Sequence, residues 1–103
     1  MIKRNSSSTS GGRSFDEATI NAVWNKGRIV QGNDPQTWRK DACGAWIKRS
    51  AYGDTTSDYG WEIDHIIPVA HGGGDELSNL QPLQWQNNRA KGDGRLVCAV
   101  YAK

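Results

Sequence analysis

The stretch EIDHIIPVAHGGG, residues 62–74, combines a strand-like run with an abrupt stop. Apolar side chains alternate with polar ones in its first half, which favours a β-strand. Pro68 ends that pattern, and three consecutive glycines follow shortly after it. Asp64 and His65 stand side by side where the strand is expected to end, and the chain has only one other histidine. This pair is therefore the first candidate for a functional site.

The segment before this stretch predicts one helix and one hairpin. Apolar residues recur at helical spacing over residues 15–26, and Ser14 and Glu17 have the spacing of a capping box. Strand-like runs follow at residues 43–49 and 60–67, separated by a turn-rich segment. We expect these two runs to pair. The predicted core face of the helix consists of Ile20, Val23 and Trp24.

The segment after the glycines predicts a strand, a helix and a final strand. Residues 79–83 read as a short strand, residues 84–91 as a helix that stops at Gly92, and residues 95–102 as a C-terminal strand. Helices and strands in this order predict a small α+β domain.

Composition divides the chain into two parts. Residues 1–13 are rich in Ser, Thr and Gly, with three basic residues and no acid. Such a segment cannot bury enough surface to offset its ordering entropy, so we expect a disordered basic tail and a folded domain at residues 14–103. A domain of this size has a marginal core, and the five tryptophans partly compensate for it.

Cysteine usage and hydropathy suggest a location. No apolar run approaches the ~18 residues of a membrane span, and the tail lacks the apolar stretch of a signal peptide. We therefore expect a cytoplasmic protein without a membrane partner. Two cysteines make no disulfide framework, so Cys43 and Cys98 are expected to be reduced, buried thiols.

The motifs DHIIP, GG, NLQPL and NNRAK occur in an order that resembles the HNH endonucleases, which are ββα-metal (His-Me finger) nucleases. The core of the resemblance covers residues 61–92. A weaker likeness upstream, in VWNKG and WRKDACGA, is similar to a subgroup of small bacterial and phage HNH proteins. The resemblance implies a ββα-metal domain, here with an N-terminal helix and a short C-terminal strand.

The resemblance also implies roles for five residues. His65 matches the general base, and Asp64 and Asn88 match the two metal ligands. Asn79 matches the asparagine that ties down the loop between the strands and so positions the histidine. Glu62 lies where relatives carry an acid that orients the site.

The chemistry calls for the same residue types. Phosphodiester hydrolysis needs an activated water and neutralisation of charge on the phosphoryl and leaving oxygens. A neutral imidazole accepts a proton at cellular pH. The oxygen donors of Asp64 and Asn88 suit one hard divalent ion, Mg²⁺ or Mn²⁺, and no structural zinc is expected. The function expected is a metal-dependent endonuclease in which His65 activates water to attack a DNA phosphodiester.

Basic residues near the motif are candidates for contacts to the nucleic-acid backbone. With a net charge of only +2, they form a phosphate footprint only if the fold gathers them on one side. The expected partner is DNA, in double-stranded form, and a partner protein or a homodimer would supply sequence specificity. The candidate contacts are Lys48, Arg49, Arg89 and Lys91.

Two other functions fit parts of the sequence. A nucleic-acid-binding module of the same fold could have lost cleavage, but binding alone needs neither a general base nor a metal. A small zinc-binding domain could use Cys43, Cys98 and His71, but the chain has no Cys-x-x-Cys pair.

Overall fold

The computed structural model describes residues 7–102 and confirms the α+β class. Within that range, two antiparallel two-stranded sheets are accompanied by two helices, and no helix has the length and apolar character that crossing a membrane requires. The elements in chain order are α1 Glu17–Trp24, β1 Trp38–Lys40, β2 Trp46–Lys48, β3 Trp61–His65, β4 Leu80–Gln84 and α2 Trp85–Lys91. Short 3-10 helices lie at Arg49–Ala51, Val69–His71 and Leu77–Asn79.

Helix α1 starts later than its sequence pattern predicts. Asp16 is the N-cap, and its carboxylate accepts a hydrogen bond of 2.8 Å from the backbone N–H of Thr19. The capping box expected from Ser14 is therefore wrong. The predicted core face is confirmed, because the buried residues of α1 are Ile20, Val23 and Trp24.

The strand pairing differs from the expected hairpin. Strand β2 pairs with β1, so that Trp38 lies opposite Lys48 and Lys40 opposite Trp46. Strand β3 pairs instead with β4, with His65 opposite Leu80. Strand β1 has only three residues, too few for an alternating pattern to reveal it. Helix α2 follows β4 directly, which completes the ββα unit.

The hydrophobic core lies between α1 and the β3–β4 sheet. The indole rings of Trp24 and Trp61 meet at a centroid distance of 5.3 Å, and both side chains are almost fully buried. The ring of Tyr52 packs against Trp61 from the edge of this cluster. The core residues are Phe15, Ile20, Val23, Trp24, Ile47, Trp61, Ile63 and Leu80.

The C-terminal segment is held by a disulfide and not by strand pairing. Cys43 and Cys98 are bonded, with an S–S distance of 2.05 Å, so the expectation of reduced thiols is wrong. Residues 95–102 form no strand. Their backbone returns to the β1–β2 turn, where the N–H of Ala102 donates to the carbonyl of Gly44. This return brings together two cysteines that are 55 positions apart, a proximity that no local pattern signals.

The N-terminal segment makes contacts within the part of the chain that the structure describes. Residues 1–6 of the predicted tail lie outside the described range. Ser7 accepts a hydrogen bond from the N–H of Ile63 and shares another with the hydroxyl of Tyr52. Ser10 donates twice to Asp75. These contacts contrast with the disorder predicted for residues 7–13, while the domain boundary at residue 14 stays a prediction.

Reduction of the disulfide should destabilise the domain. Cross-linking residues 55 positions apart lowers the entropy of the unfolded chain, which is worth about 4 kcal/mol for a loop of this length. Urea unfolding of the wild-type protein should therefore shift to a lower midpoint in dithiothreitol. The double variant Cys43→Ser/Cys98→Ser should unfold at the midpoint of the reduced protein, and dithiothreitol should not change that midpoint. Identical midpoints with and without reductant in the wild-type protein would contradict the assignment.

Candidate active site

One face of β3 presents two buried carboxylates to α2. Glu62 and Asp64 are two residues apart, so they point to the same face, and each side chain is 5% exposed. The Arg89 guanidinium forms a bidentate contact with Glu62, in which Nε donates to Oε1 at 3.1 Å and Nη2 donates to Oε2 at 2.9 Å. This contact raises the pKa of Arg89. Asn88 Nδ2 also donates to Glu62 Oε1 at 2.9 Å. Helix α2 thus neutralises and hydrogen-bonds this acid.

Asp64 is paired with a buried lysine. Lys91 Nζ lies 3.2 Å from Asp64 Oδ1 and also donates to the carbonyl oxygen of His65 at 2.9 Å. The second carboxylate oxygen accepts a hydrogen bond of 2.9 Å from Gln81 Nε2 on β4. Burial raises the pKa of Asp64, and the contacts from Gln81 and Lys91 oppose that rise.

His65 lies on the opposite face of β3. Its ring packs at 6.0 Å from the ring of Phe15, and its Nε2 contacts Asp75 Oδ1 at 2.8 Å. Partial desolvation acts to raise the pKa of Asp75, but hydrogen bonds from His65 and Ser10 outweigh it and lower that pKa. Asp75 is therefore an ionised acceptor. It follows that Nε2 carries the proton and that Nδ1 is the ring nitrogen able to accept one.

Asn79 ties the loop between β3 and β4 together. Its Oδ1 accepts from the N–H of Ile67 at 2.8 Å, and its Nδ2 donates to the carbonyls of Ile67 and Gly74 at 3.1 and 2.9 Å. Gly73 passes so close that a Cβ there would lie 1.7 Å from the Ile67 carbonyl oxygen. The loop that follows His65 is thus held by one amide side chain and by a glycine that no other residue can replace.

Asp64 and Asn88 carry oxygen donors of the type that a hard divalent ion prefers, and the ammonium of Lys91 already lies against Asp64. Within residues 7–102, no three His, Cys, Asp or Glu side chains cluster as a metal site. Asp64 and Asn88 nevertheless offer a carboxylate and an amide oxygen from facing elements, β3 and α2. The ammonium of Lys91 against Asp64 shows that the site accommodates a positive charge at this carboxylate. A metal at Asp64 would compete with Lys91 for that position.

The four predicted backbone contacts occupy different environments. Arg49 binds Glu17 and Asn21 on α1, at 2.8 and 2.6 Å. Arg89 is half exposed and bound to Glu62, whereas Lys91 is buried and does not face solvent. Lys48 alone of the four has no hydrogen bond or ion pair from its side chain within the described range. Three of the four cations therefore have partners within the protein, and the role of all four as backbone contacts stays a prediction.

Asp75 and Gln81 are candidate site residues that the sequence did not reveal. Asp75 follows the glycine run, and its contact with His65 spans ten positions, with the loop between them. Gln81 reaches Asp64 across the β3–β4 ladder. The β3–β4 register brings Gln81 to Asp64, and the path of the loop between these strands brings Asp75 to His65, so both contacts are tertiary features.

The alternative of a zinc-binding domain is not supported, because Cys43 and Cys98 are joined in a disulfide. Sulfurs in the bond between Cys43 and Cys98 are not thiolates, and zinc binds thiolates. His71 is exposed at the end of a 3-10 helix.

The fold and this site define a small ββα domain of the nuclease type. The family model described as HNH endonuclease matches residues 42–94, which is more than half of the chain. The chain therefore belongs to the HNH endonuclease family. No curated protein and no solved structure matches it. Membership points to nuclease activity on nucleic acid, and HNH domains generally depend on a divalent metal.

Replacement of Asn79 by alanine should loosen the loop without removing a metal ligand. Three hydrogen bonds disappear, so we expect a loss of about 1–3 kcal/mol in the free energy of unfolding. Activity should fall, while the affinity for Mg²⁺ or Mn²⁺ stays within a few-fold of wild type. Asn79→Asp keeps the acceptor for Ile67 and should be intermediate in stability. Calorimetry that showed metal binding abolished in Asn79→Ala would make Asn79 a ligand.

Proposed function

We propose that this protein is a metal-dependent endonuclease that hydrolyses DNA phosphodiester bonds. The observation that carries the proposal is the arrangement at the end of β3. His65 lies on one face of the strand and contacts Asp75, and Asp64 lies on the other face and contacts Lys91 of α2. Strand β3 ends at His65, so both side chains lie at the end of the strand, where the phosphate is proposed to bind. A binding module without cleavage would not require an oriented imidazole.

His65 is the general base of the proposed reaction. With Asp75 holding the proton on Nε2, Nδ1 is free to take a proton from a water molecule that attacks phosphorus. Asp75 then stabilises the imidazolium, because its carboxylate lies 2.8 Å from Nε2. Asn79 keeps the loop that carries Asp75 closed against the strand end.

Asp64 and Asn88 are the proposed ligands of one Mg²⁺ or Mn²⁺ ion. When bound, such an ion supplies charge stabilisation for the phosphoryl oxygens and the departing 3′ oxygen. Glu62 supports the site by accepting a hydrogen bond from Asn88 Nδ2. Because Asn88 uses its nitrogen for this contact, its amide oxygen does not face Glu62. Lys91 neutralises the negative charge of Asp64. Arg89 holds Glu62 in place from the solvent side.

The remaining expectations about partners and location stay predictions. Double-stranded DNA as the substrate, and a partner protein or homodimer as the source of sequence specificity, are proposals. The cytoplasmic location stays a proposal, and the bond between Cys43 and Cys98 is of a kind that persists mainly in oxidising compartments.

Separate variants of the adjacent pair should fail in different ways. His65→Ala should bind metal and DNA but cleave roughly 10²–10⁴ times more slowly, the usual contribution of a positioned base. Asp64→Ala should lose metal affinity, and excess Mn²⁺ should partly restore its cleavage. Plasmid cleavage at a series of metal concentrations, with EDTA as the blank, separates the two defects. His65→Ala that cuts at the wild-type rate would end this mechanism.

The role of Asp75 can be tested apart from that of the metal. Asp75→Asn should lower turnover roughly 10–100-fold, since an amide no longer holds the proton on Nε2, and should leave metal affinity unchanged. Asp75→Glu should recover part of the activity. Ser10→Ala is the matched control, because it removes one contact to Asp75 and keeps the carboxylate. If Ser10→Ala slowed turnover as much as Asp75→Asn, the effect would belong to the N-terminal contact.

A further inference from the structure

The outer face of the β1–β2 hairpin alternates aromatic rings with cations. Arg28 pairs with Lys40 in an isolated antiparallel bridge, and Lys40 is opposite Trp46 in the ladder, so these three side chains share one face. Trp38 and Lys48 form the next row on the same face. The intervening residues, Arg39 and Ile47, point inward and are buried. We call the five outer residues the hairpin face.

Two rings of the hairpin face and the ring of Tyr59 surround an opening. Trp38 stands nearly perpendicular to Trp46 and to Tyr59, at 81° and 88°, with centroid distances of 6.1 and 4.9 Å. The opening has a volume of about 220 Å³, and Asn33 lines it together with the three rings. It offers ring surfaces for one planar group and an amide that can both donate and accept hydrogen bonds.

The cations of the hairpin face have no acidic partner in the described chain. Arg28, Lys40 and Lys48 form none of the ion pairs found among residues 7–102. Lys40 Nζ lies 4.8 Å from the Trp46 ring and Lys48 Nζ lies 5.6 Å from the Trp38 ring. Like charges directly opposite each other, as in Arg28 and Lys40, are destabilising. The face therefore has unbalanced positive charge.

A basic groove joins the hairpin face to the candidate active site. It has a volume of about 270 Å³, and its lining includes Lys26, Arg28, Lys40 and Gln81. Gln81 is the residue that donates to Asp64. The one carboxylate along the groove is that of Asp41, whose oxygens are already used by interior N–H groups. Lys40 belongs to both the groove and the hairpin face.

We propose that the hairpin face binds an unpaired stretch of the nucleic-acid substrate, with one base in the aromatic opening and its phosphates on Lys40, Lys48 and Arg28. The proposal rests on the proposed function for the class of ligand, and it adds that the substrate is partly single-stranded. The groove leads the strand from the aromatic opening to Asp64.

The chemistry of the face separates this ligand from two others. Aromatic openings also bind quaternary ammonium groups, but here Lys40 and Lys48 already occupy the cation positions on two of the rings, and a cationic ligand would be repelled. A regular duplex keeps its base faces stacked and hidden, so it cannot use the rings. Unpaired bases expose those faces, and stacking on aromatic side chains is tolerant of sequence.

Binding can be measured without cleavage. The full chain in EDTA is titrated into a fluorescein-labelled single-stranded oligonucleotide, and into the same sequence as a blunt duplex, with anisotropy as the readout. We expect the single strand to bind more tightly than the duplex. Trp46→Leu should weaken single-strand binding roughly tenfold or more, the usual effect of losing one stacked base. The duplex should lose much less.

A second variant removes the charges at half-exposed positions. Lys40→Met/Lys48→Met should lower the slope of log affinity against log salt by about 1.4 for the single strand. Arg95→Met is the matched control, since Arg95 is exposed, lies outside the hairpin face and forms no ion pair within residues 7–102. It should leave both affinity and slope unchanged. The lysine variant decides the question if Trp46→Leu does not fold.

The outcomes distinguish this proposal from the proposed function. Tighter binding of the duplex, or wild-type affinity and slope in the lysine variant, would overturn the hairpin-face proposal even if the protein cleaves DNA with Mg²⁺. If the wild-type protein never cleaves but the lysine and tryptophan variants lose single-strand binding, the hairpin-face proposal stands and the endonuclease proposal falls.

Discussion

Two acids buried on one face of β3 control the arrangement of the site. A buried, unpaired carboxylate costs several kcal/mol, so Glu62 and Asp64 require partners at fixed distances. Helix α2 supplies both, because Arg89 and Lys91 are two residues apart and lie against the two acids. These two contacts fix the rotation of the helix and its position along the strand. That same placement sets Asn88 on the face of β3 that carries Asp64.

The opposite face of β3 is closed by segments that are remote in sequence. Phe15 and Asp75 contact His65, and the serines of residues 7–13 contact Asp75 and Ile63. The C-terminal segment is secured by its disulfide at the β1–β2 turn. A chain this short buries few residues, so these contacts and the disulfide stabilise the fold in addition to the tryptophan-rich core.

Charge is distributed unevenly, although the net charge is only +2. The cations around the acids of β3 are neutralised, and the cations of the hairpin face are not. The first group stabilises the fold, because each member has a partner inside the protein. The second group is available to an external polyanion. A count of basic residues cannot separate these groups, since the difference depends on which acids lie within reach.

The sequence alone determined the family motif, the core face of α1, the strand that ends at His65, and the helix that carries Asn88, because each depends on local spacing. Only the tertiary structure decided which strands pair, that Cys43 and Cys98 are joined, and that Asp75 rather than a nearer residue orients His65. It also decided that Lys91 faces Asp64 while Lys48 faces solvent and Trp38. These contacts join positions far apart in the chain, and their energies depend on burial and distance, which no local pattern records.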